Sequence, residues 1–156
     1  MREFKTDLTG KVAVVTGARQ GLGKIFATAL AAAGAEVIIM ARNVKALEEA
    51  AAEIHAETGA ICHYCPIDIL DESSVEKAAR FVMDTCGRLD ILFNNAALGR
   101  GSTPLQDTSL EEWNATIGTN LTGTFLCMKH FGRIMIAQQS GKVVNMTSLA
   151  ARAVFA

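Results

Sequence analysis

Five short apolar runs alternate with helix-periodic stretches along this chain, and that alternation restricts the fold more than any other feature. The runs are KVAVVTG, EVIIMA, AICHYCPID, LDILFNNA and GKVVNMTS. Between them lie LGKIFATALAAAGA, NVKALEEAAAEIHAETG, DESSVEKAARFVMDTCG and a long helical pattern from SLEEWNATIG to MIAQQ. Runs that stay apolar without alternating need cover on both faces, as helices supply for a parallel sheet. Right-handed crossovers then predict an α/β fold, a doubly wound parallel sheet with strand order 3-2-1-4-5. Asn43 is the expected N-cap of the second helix, Gly59 its stop, and Asp71 the expected cap of the third. No linker, low-complexity tract or repeat interrupts the pattern, so residues 1–156 read as one domain.

The balance of residue types narrows the function classes. Half of the residues (50%) are hydrophobic, 20% are charged, and the formal net charge is -1. Such a chain can build a globular core. It has no cluster of one sign to bind nucleic acid or a lipid surface. MREFKTDLTG lacks the apolar stretch of a secretory signal, and no run is long enough to span a bilayer, so a cytoplasmic location is expected. Cys62 and Cys65 form a C-x-x-C, but residues three apart on a strand point to opposite faces. No second pair completes a zinc site, so no metal is expected.

TGARQGLG joins the first run to the first helix. A phosphate bound there must approach backbone N–H groups closely, and a Cβ would obstruct it. Gly17 is expected to permit the tight turn, Gly21 the close approach and Gly23 the packing of helix on strand. The helix N-terminus adds favourable electrostatics for a pyrophosphate.

The spacing T-G-x-x-x-G-x-G resembles that of the short-chain dehydrogenase/reductase family. Asp68, NNAA and GKVVNMTS extend the likeness over nearly the whole chain. The resemblance implies a Rossmann-like fold and hydride transfer between a nicotinamide dinucleotide and a secondary alcohol or ketone. It implies cofactor contacts from the turn (Gly17, Arg19, Gln20, Gly21, Leu22, Gly23), from Arg42, from Asp68 and Ile69 at the adenine, and from Asn95, Ala96 and Ala97. Arg42 follows Ala41 where an acid would repel a 2′-phosphate, and Arg42 can grip that phosphate with help from Arg19. NADP(H) is therefore favoured, with NAD(H) as the alternative. The resemblance gives Asn94 the task of holding the sheet together. Ala97 stands where the family usually has Gly, at a cost of about 1 kcal/mol if the position needs a positive φ.

TIGTNLTGTF is rich in weak helix formers, yet helical patterns flank it, so a kink or a widened turn is expected near Asn120. By resemblance, the Asn120 carbonyl holds a water in a proton path, and Ser148 is the catalytic serine that hydrogen-bonds the substrate oxygen. Trp113, Phe125, Met128, Phe131 and Met135 are expected to serve packing or subunit contact. The family's proton donor is a Tyr followed four residues later by Lys. The one tyrosine here, Tyr64, is followed at that spacing by Asp68 and cannot take the role. The chain therefore reads as truncated before the helix and strands that follow the fifth strand, ending in LAARAVFA without a cap. The expected function is that of an NADP(H)-dependent oxidoreductase for the parent, acting on a small alcohol or ketone as a homo-oligomer (dimer or tetramer), with the given chain inactive. The alternative is a stand-alone, non-catalytic dinucleotide-binding or interaction module.

Overall fold

Strands and helices here follow from which residues can be buried on which face. The computed structural model describes residues 6–99 and 103–148. The expected ending, LAARAVFA, lies outside the described residues. Five strands, β1 (Val12–Thr16), β2 (Glu36–Ala41), β3 (Cys62–Pro66), β4 (Ile91–Asn94) and β5 (Lys142–Asn145), alternate with helices α1 (Gly21–Ala32), α2 (Val44–Thr58) and α3 (Glu72–Cys86). After β4 come α4 (Leu110–Ile117), a π-helical turn (Gly118–Gly123) and α5 (Thr124–Gln138). The strands form one parallel sheet in the order β3-β2-β1-β4-β5, as the alternation predicts.

The period-2 alternation of side chains divides β1 between two cores. Val12 and Val14 join Ile38 and Met40 under α3 and α5. Ala13 and Val15 join Val37 and Ile39 under α1 and α2. Each covering helix contributes a buried stripe at helical spacing: Leu47, Ala50, Ala51 and Ile54 from α2, and Val75, Ala78, Ala79 and Val82 from α3. Cys65 lies in the first core and Cys62 packs against the second, so the C-x-x-C points to opposite faces. Burial raises both thiols, Cys62 to about 11. The aromatic and methionine residues of the last helices divide. Phe131 and Met135 are buried, whereas Trp113, Phe125 and Met128 are 52%, 54% and 38% exposed. No helix among the described residues is long and apolar enough to cross a membrane.

Caps fall where the sequence places them. Asn43 accepts from Ala46 N–H, Asp71 from Ser73 N–H, and Gly59 closes α2 in the left-handed region. Two polar clusters tie the layers together. Asp90, nearly buried, accepts two hydrogen bonds from Arg88 at 2.8 and 2.6 Å and one from Val12 N–H at 3.0 Å. Desolvation pushes the Asp90 carboxyl up, but Arg88, the Val12 N–H and Lys11 together hold it below its ordinary value. Glu72 Oε1 receives Lys129 Nζ at 2.6 Å and lies 2.9 Å from His130 Nε2, joining the start of α3 to α5. Hydrogen bonds from Lys129 and His130, then the Lys129 charge, draw its carboxyl from 4.5 to about 2. Asn94 Nδ2 donates to Asn145 Oδ1 at 2.8 Å, linking β4 to β5 as its sheet-holding role requires. Asn94 Oδ1 is a buried acceptor without a partner among the described residues.

Replacing Asp90 by Ala leaves the buried Val12 N–H without its acceptor, while the half-exposed Arg88 turns to water, and should cost about 1–3 kcal/mol in urea denaturation. A depressed carboxyl stabilises the fold above its unfolded pKa and loses that contribution as pH falls through its folded value. The D90A chain should therefore lose stability less steeply than wild type as pH falls below about 4, the ordinary carboxylate value. An acid limb of unchanged slope would show that Asp90 does not carry this linkage.

Candidate functional site

The order of the strands reverses between β1 and β4, and a parallel sheet opens a crevice at such a point beyond its carboxyl ends. Here the crevice is held in shape by Thr16 and Asn95. The Thr16 hydroxyl accepts from the N–H groups of Asn95 and Ala96, both at 3.1 Å. Asn95 Nδ2 donates to the carbonyls of Thr16 at 3.0 Å and Gly17 at 3.4 Å. On the other side, Gly17 N–H reaches Met40 O at 2.7 Å. Segments this close leave no room for side chains at two glycines. A Cβ on Gly17, whose φ is +68°, would lie 2.7 Å from Ala96 Cα. A Cβ on Gly23 would lie 2.4 Å from Asn95 Nδ2 and 2.6 Å from Gly17 O.

These distances revise two of the expected roles. Gly23 makes room for the Asn95 amide and the turn's own carbonyl, not for β1. Asn95 lines the crevice, but its amide is committed to holding the glycine turn. Gly21 has φ +59°, and open space surrounds its missing Cβ. Thr16 belongs to the T-G motif but carried no assigned role. Its signal was a hydroxyl at the end of an otherwise apolar strand.

The resulting cleft has a volume of about 860 Å³. Its lining brings together every cofactor-contact residue expected from the sequence: Gly17, Arg19, Gln20, Gly21, Leu22, Gly23, Arg42, Asp68, Ile69, Asn95, Ala96 and Ala97. It also includes Asn43, Leu98, Ala115 and Thr119, which sequence reasoning did not assign to it. The start of α1 faces this space, with Gln20 at the N-cap making no side-chain cap and no acidic residue in the first turn. By contrast, α2, α3 and α4 are capped by Asn43, Asp71 and Ser109. Orphan N–H groups and the positive end of the helix dipole are thus offered to the cleft.

Two cations around the cleft have the same sense. Arg19 and Arg42 are exposed, and Arg19 Nη1 donates to Gln20 Oε1 at 2.7 Å. Ala41 before Arg42 presents no carboxylate. Asp68 is half-buried and accepts from Leu70 N–H at 3.0 Å, so it shapes its turn while lining the cleft. Ile69 is 8% exposed and presses on Gly123, where a Cβ would meet its Cδ1 at 2.6 Å. Ala97 does not have a positive φ; among the described non-glycine residues only Gln139 does. The condition for a strain penalty at Ala97 is not met.

Neither of the two residues expected to be catalytic belongs to this lining, although Asn120 is bonded to one of its members, Leu98. The widened turn expected near Asn120 is the π-helical segment Gly118–Gly123. The Asn120 side chain accepts from Leu98 N–H at 2.8 Å and donates to Leu98 O at 3.2 Å, which fastens the loop after β4. Its carbonyl accepts the Thr124 hydroxyl at 2.9 Å. Ser148 is exposed, three residues past the end of β5. Tyr64 lies in β3, packs against the core beneath α1 and α2, and does not line the cleft.

The family model described as short chain dehydrogenase matches residues 11–156. The chain is 42% identical over 147 residues to the 3-oxoacyl-[acyl-carrier-protein] reductase of Synechocystis sp., covering 93% of this chain and 58% of that protein. A metagenomic short-chain oxidoreductase solved in complex with NADP superposes with TM-score 0.87 at 36% identity, over 96% of this chain and 67% of that one. An NAD+-bound xylitol dehydrogenase superposes with TM-score 0.89 at 32% identity, over 93% of this chain and 55% of that one.

The two glycine environments should separate on substitution. In Gly23→Ala the new Cβ meets backbone and a held amide, which should cost about 2–3 kcal/mol in urea denaturation. In Gly21→Ala it meets open space, leaving a strain of about 1 kcal/mol. Equal losses would mean that the crowding around Gly23 relaxes freely.

Proposed function

The chain belongs to the short-chain dehydrogenase family, and from that premise we propose that it forms the dinucleotide-holding part of an NADP(H)-dependent oxidoreductase. The reaction class is interconversion of a secondary alcohol and a ketone. The observation that carries this reading is the uncapped start of α1, opening onto a cleft where Gly17 and Gly23 leave no Cβ. A pyrophosphate fits that cradle, because several N–H groups converge where no side chain competes for them.

Each residue of the chain then has a task. The backbone at Gln20, Gly21 and Leu22 holds the pyrophosphate. Arg42, assisted by Arg19, pairs with a 2′-phosphate, and the absence of an acid at Ala41 removes repulsion. Asp68 accepts from the adenine amino group, while Ile69 and Ala96 supply apolar wall. Ser148 donates to the substrate oxygen and favours the form in which charge develops there. The Asn120 carbonyl holds a water. When bound, the nicotinamide supplies or accepts the hydride. The NADP-bound relative supports the favoured cofactor, and the NAD+-bound relative keeps NAD(H) as the alternative. The exposed Trp113 and Phe125 on α4 and α5 support self-association of the whole protein through these helices.

Loss of a charge-assisted phosphate contact is worth about 1.5–3 kcal/mol, or at least about tenfold in affinity. Arg42→Ala should therefore weaken NADPH binding at least about tenfold in calorimetric titration and leave NADH binding within about twofold. Equal weakening of both cofactors would remove the argument for NADP(H). The 156-residue chain holds a single tyrosine, placed away from the cleft. With NADPH and a panel of ketones it should bind the cofactor without consuming it. Turnover by this chain would show that another group donates the proton.

A further inference from the structure

At the opposite end of the sheet from the cleft, three residues of different chemistry converge. Glu36 is the first residue of β2, His63 lies in β3, and Cys86 is the last residue of α3. In the parallel register His63 pairs with Ile38, so Glu36, two residues before Ile38, projects from the same sheet face. That face is the one α3 covers, and the last turn of α3 brings Cys86 down onto it. His63 Nε2 lies 2.7 Å from Glu36 Oε1, and Cys86 Sγ donates to the same oxygen at 3.4 Å. One ligand atom from each residue lies within 4.8 Å of the other two, and all three are half-buried.

We infer that Glu36, His63 and Cys86 form a binding site for a divalent zinc ion, separate from the dinucleotide cleft. A carboxylate oxygen, an imidazole nitrogen and a thiolate are a zinc donor set. Bond lengths of about 2.0–2.3 Å in a tetrahedral site require donor separations of roughly 3.3–3.7 Å. The Cys86–Glu36 separation already suits this, and the His63–Glu36 pair must open by less than about 1 Å. The fourth position is left to water. Glu36 and Cys86 line a hollow of about 540 Å³, which gives an ion its path in. The cations of that hollow, Lys11 and Arg88, are both paired to Asp90 and so do not compete for the carboxylate. The carbonyl end of α3 adds a favourable potential for a cation. On binding, the thiol releases one proton to solvent, and the imidazole carries its proton on Nδ1 while Nε2 gives its lone pair to the ion.

Cobalt alone, titrated into the 156-residue chain, is the probe. One equivalent should raise a thiolate-to-cobalt charge-transfer band with four-coordinate visible bands, and one equivalent of zinc should abolish them. Cys86→Ser should lose the charge-transfer band, His63→Gln should weaken binding by more than about tenfold, and Cys62→Ser should keep both. Alkylation of the wild-type chain, mapped by mass spectrometry, needs no variant. Zinc should protect Cys86 from iodoacetamide and leave the labelling of Cys62 unchanged. Absence of a band at one equivalent, a band that survives in Cys86→Ser, or zinc-insensitive labelling of Cys86 each overturns the site.

Discussion

The Thr16 hydroxyl and the Asn95 amide carry the constraint on which the rest depends. Between them they make four hydrogen bonds across the junction of β1 and β4. Neighbouring strands are normally joined by a ladder, but here β1 is at its last residue and the chain has just left β4. Without these bonds, the ends of the two strands would present unpaired polar groups to a crevice. With them, the glycine turn is held against the loop after β4, and α1 begins at a fixed angle to the sheet. The glycines follow from that closeness: Gly17 and Gly23 are needed because the Asn95–Ala96 loop is already there.

The two ends of the sheet are built differently. At the carboxyl ends, N–H groups of α1 and the side chains of Arg19 and Arg42 face open space, and the helix lacks the cap its neighbours have. At the amino ends, polar groups are largely spent on one another. Asp90 gathers Arg88, Lys11 and the Val12 N–H, and Glu36 gathers His63 and Cys86. One end is thus satisfied and stabilising, and the other is left incomplete in a way that suits an anionic ligand. A doubly wound sheet places its ligand crevice at the carboxyl ends of the strands, and that is the end left incomplete here.

Much of this was legible along the chain. The apolar runs forecast five parallel strands and their order, and Asn43 and Asp71 announced their helices. The weak helix formers of GTNLTG forecast the π turn, because a helix that cannot hold regular hydrogen bonds widens where packing on both sides keeps it helical. Less legible was the purpose of residues whose partners are distant in sequence. Asn95 reads as a cleft residue but serves as a brace, through bonds spanning 79 and 78 residues. The exposure of Trp113 and the burial of Phe131 could not be told apart by composition, since both lie on one apolar helical pattern.

The sequence by itself determined the fold class, the strand order, the caps at Asn43, Gly59 and Asp71, and those cleft residues that its motifs carry. These follow from local periodicity, turn chemistry and a motif confined to a few residues. Tertiary structure alone decided which groups meet. It spent the Asn95 amide on the turn and spared Ala97 a positive φ. It also brought Glu36 to His63 and Cys86 across separations of 27 and 50 residues. The physical reason is that hydrogen bonds and metal ligation act over a few ångströms, and only strand register and helix packing determine which distant residues come within that range.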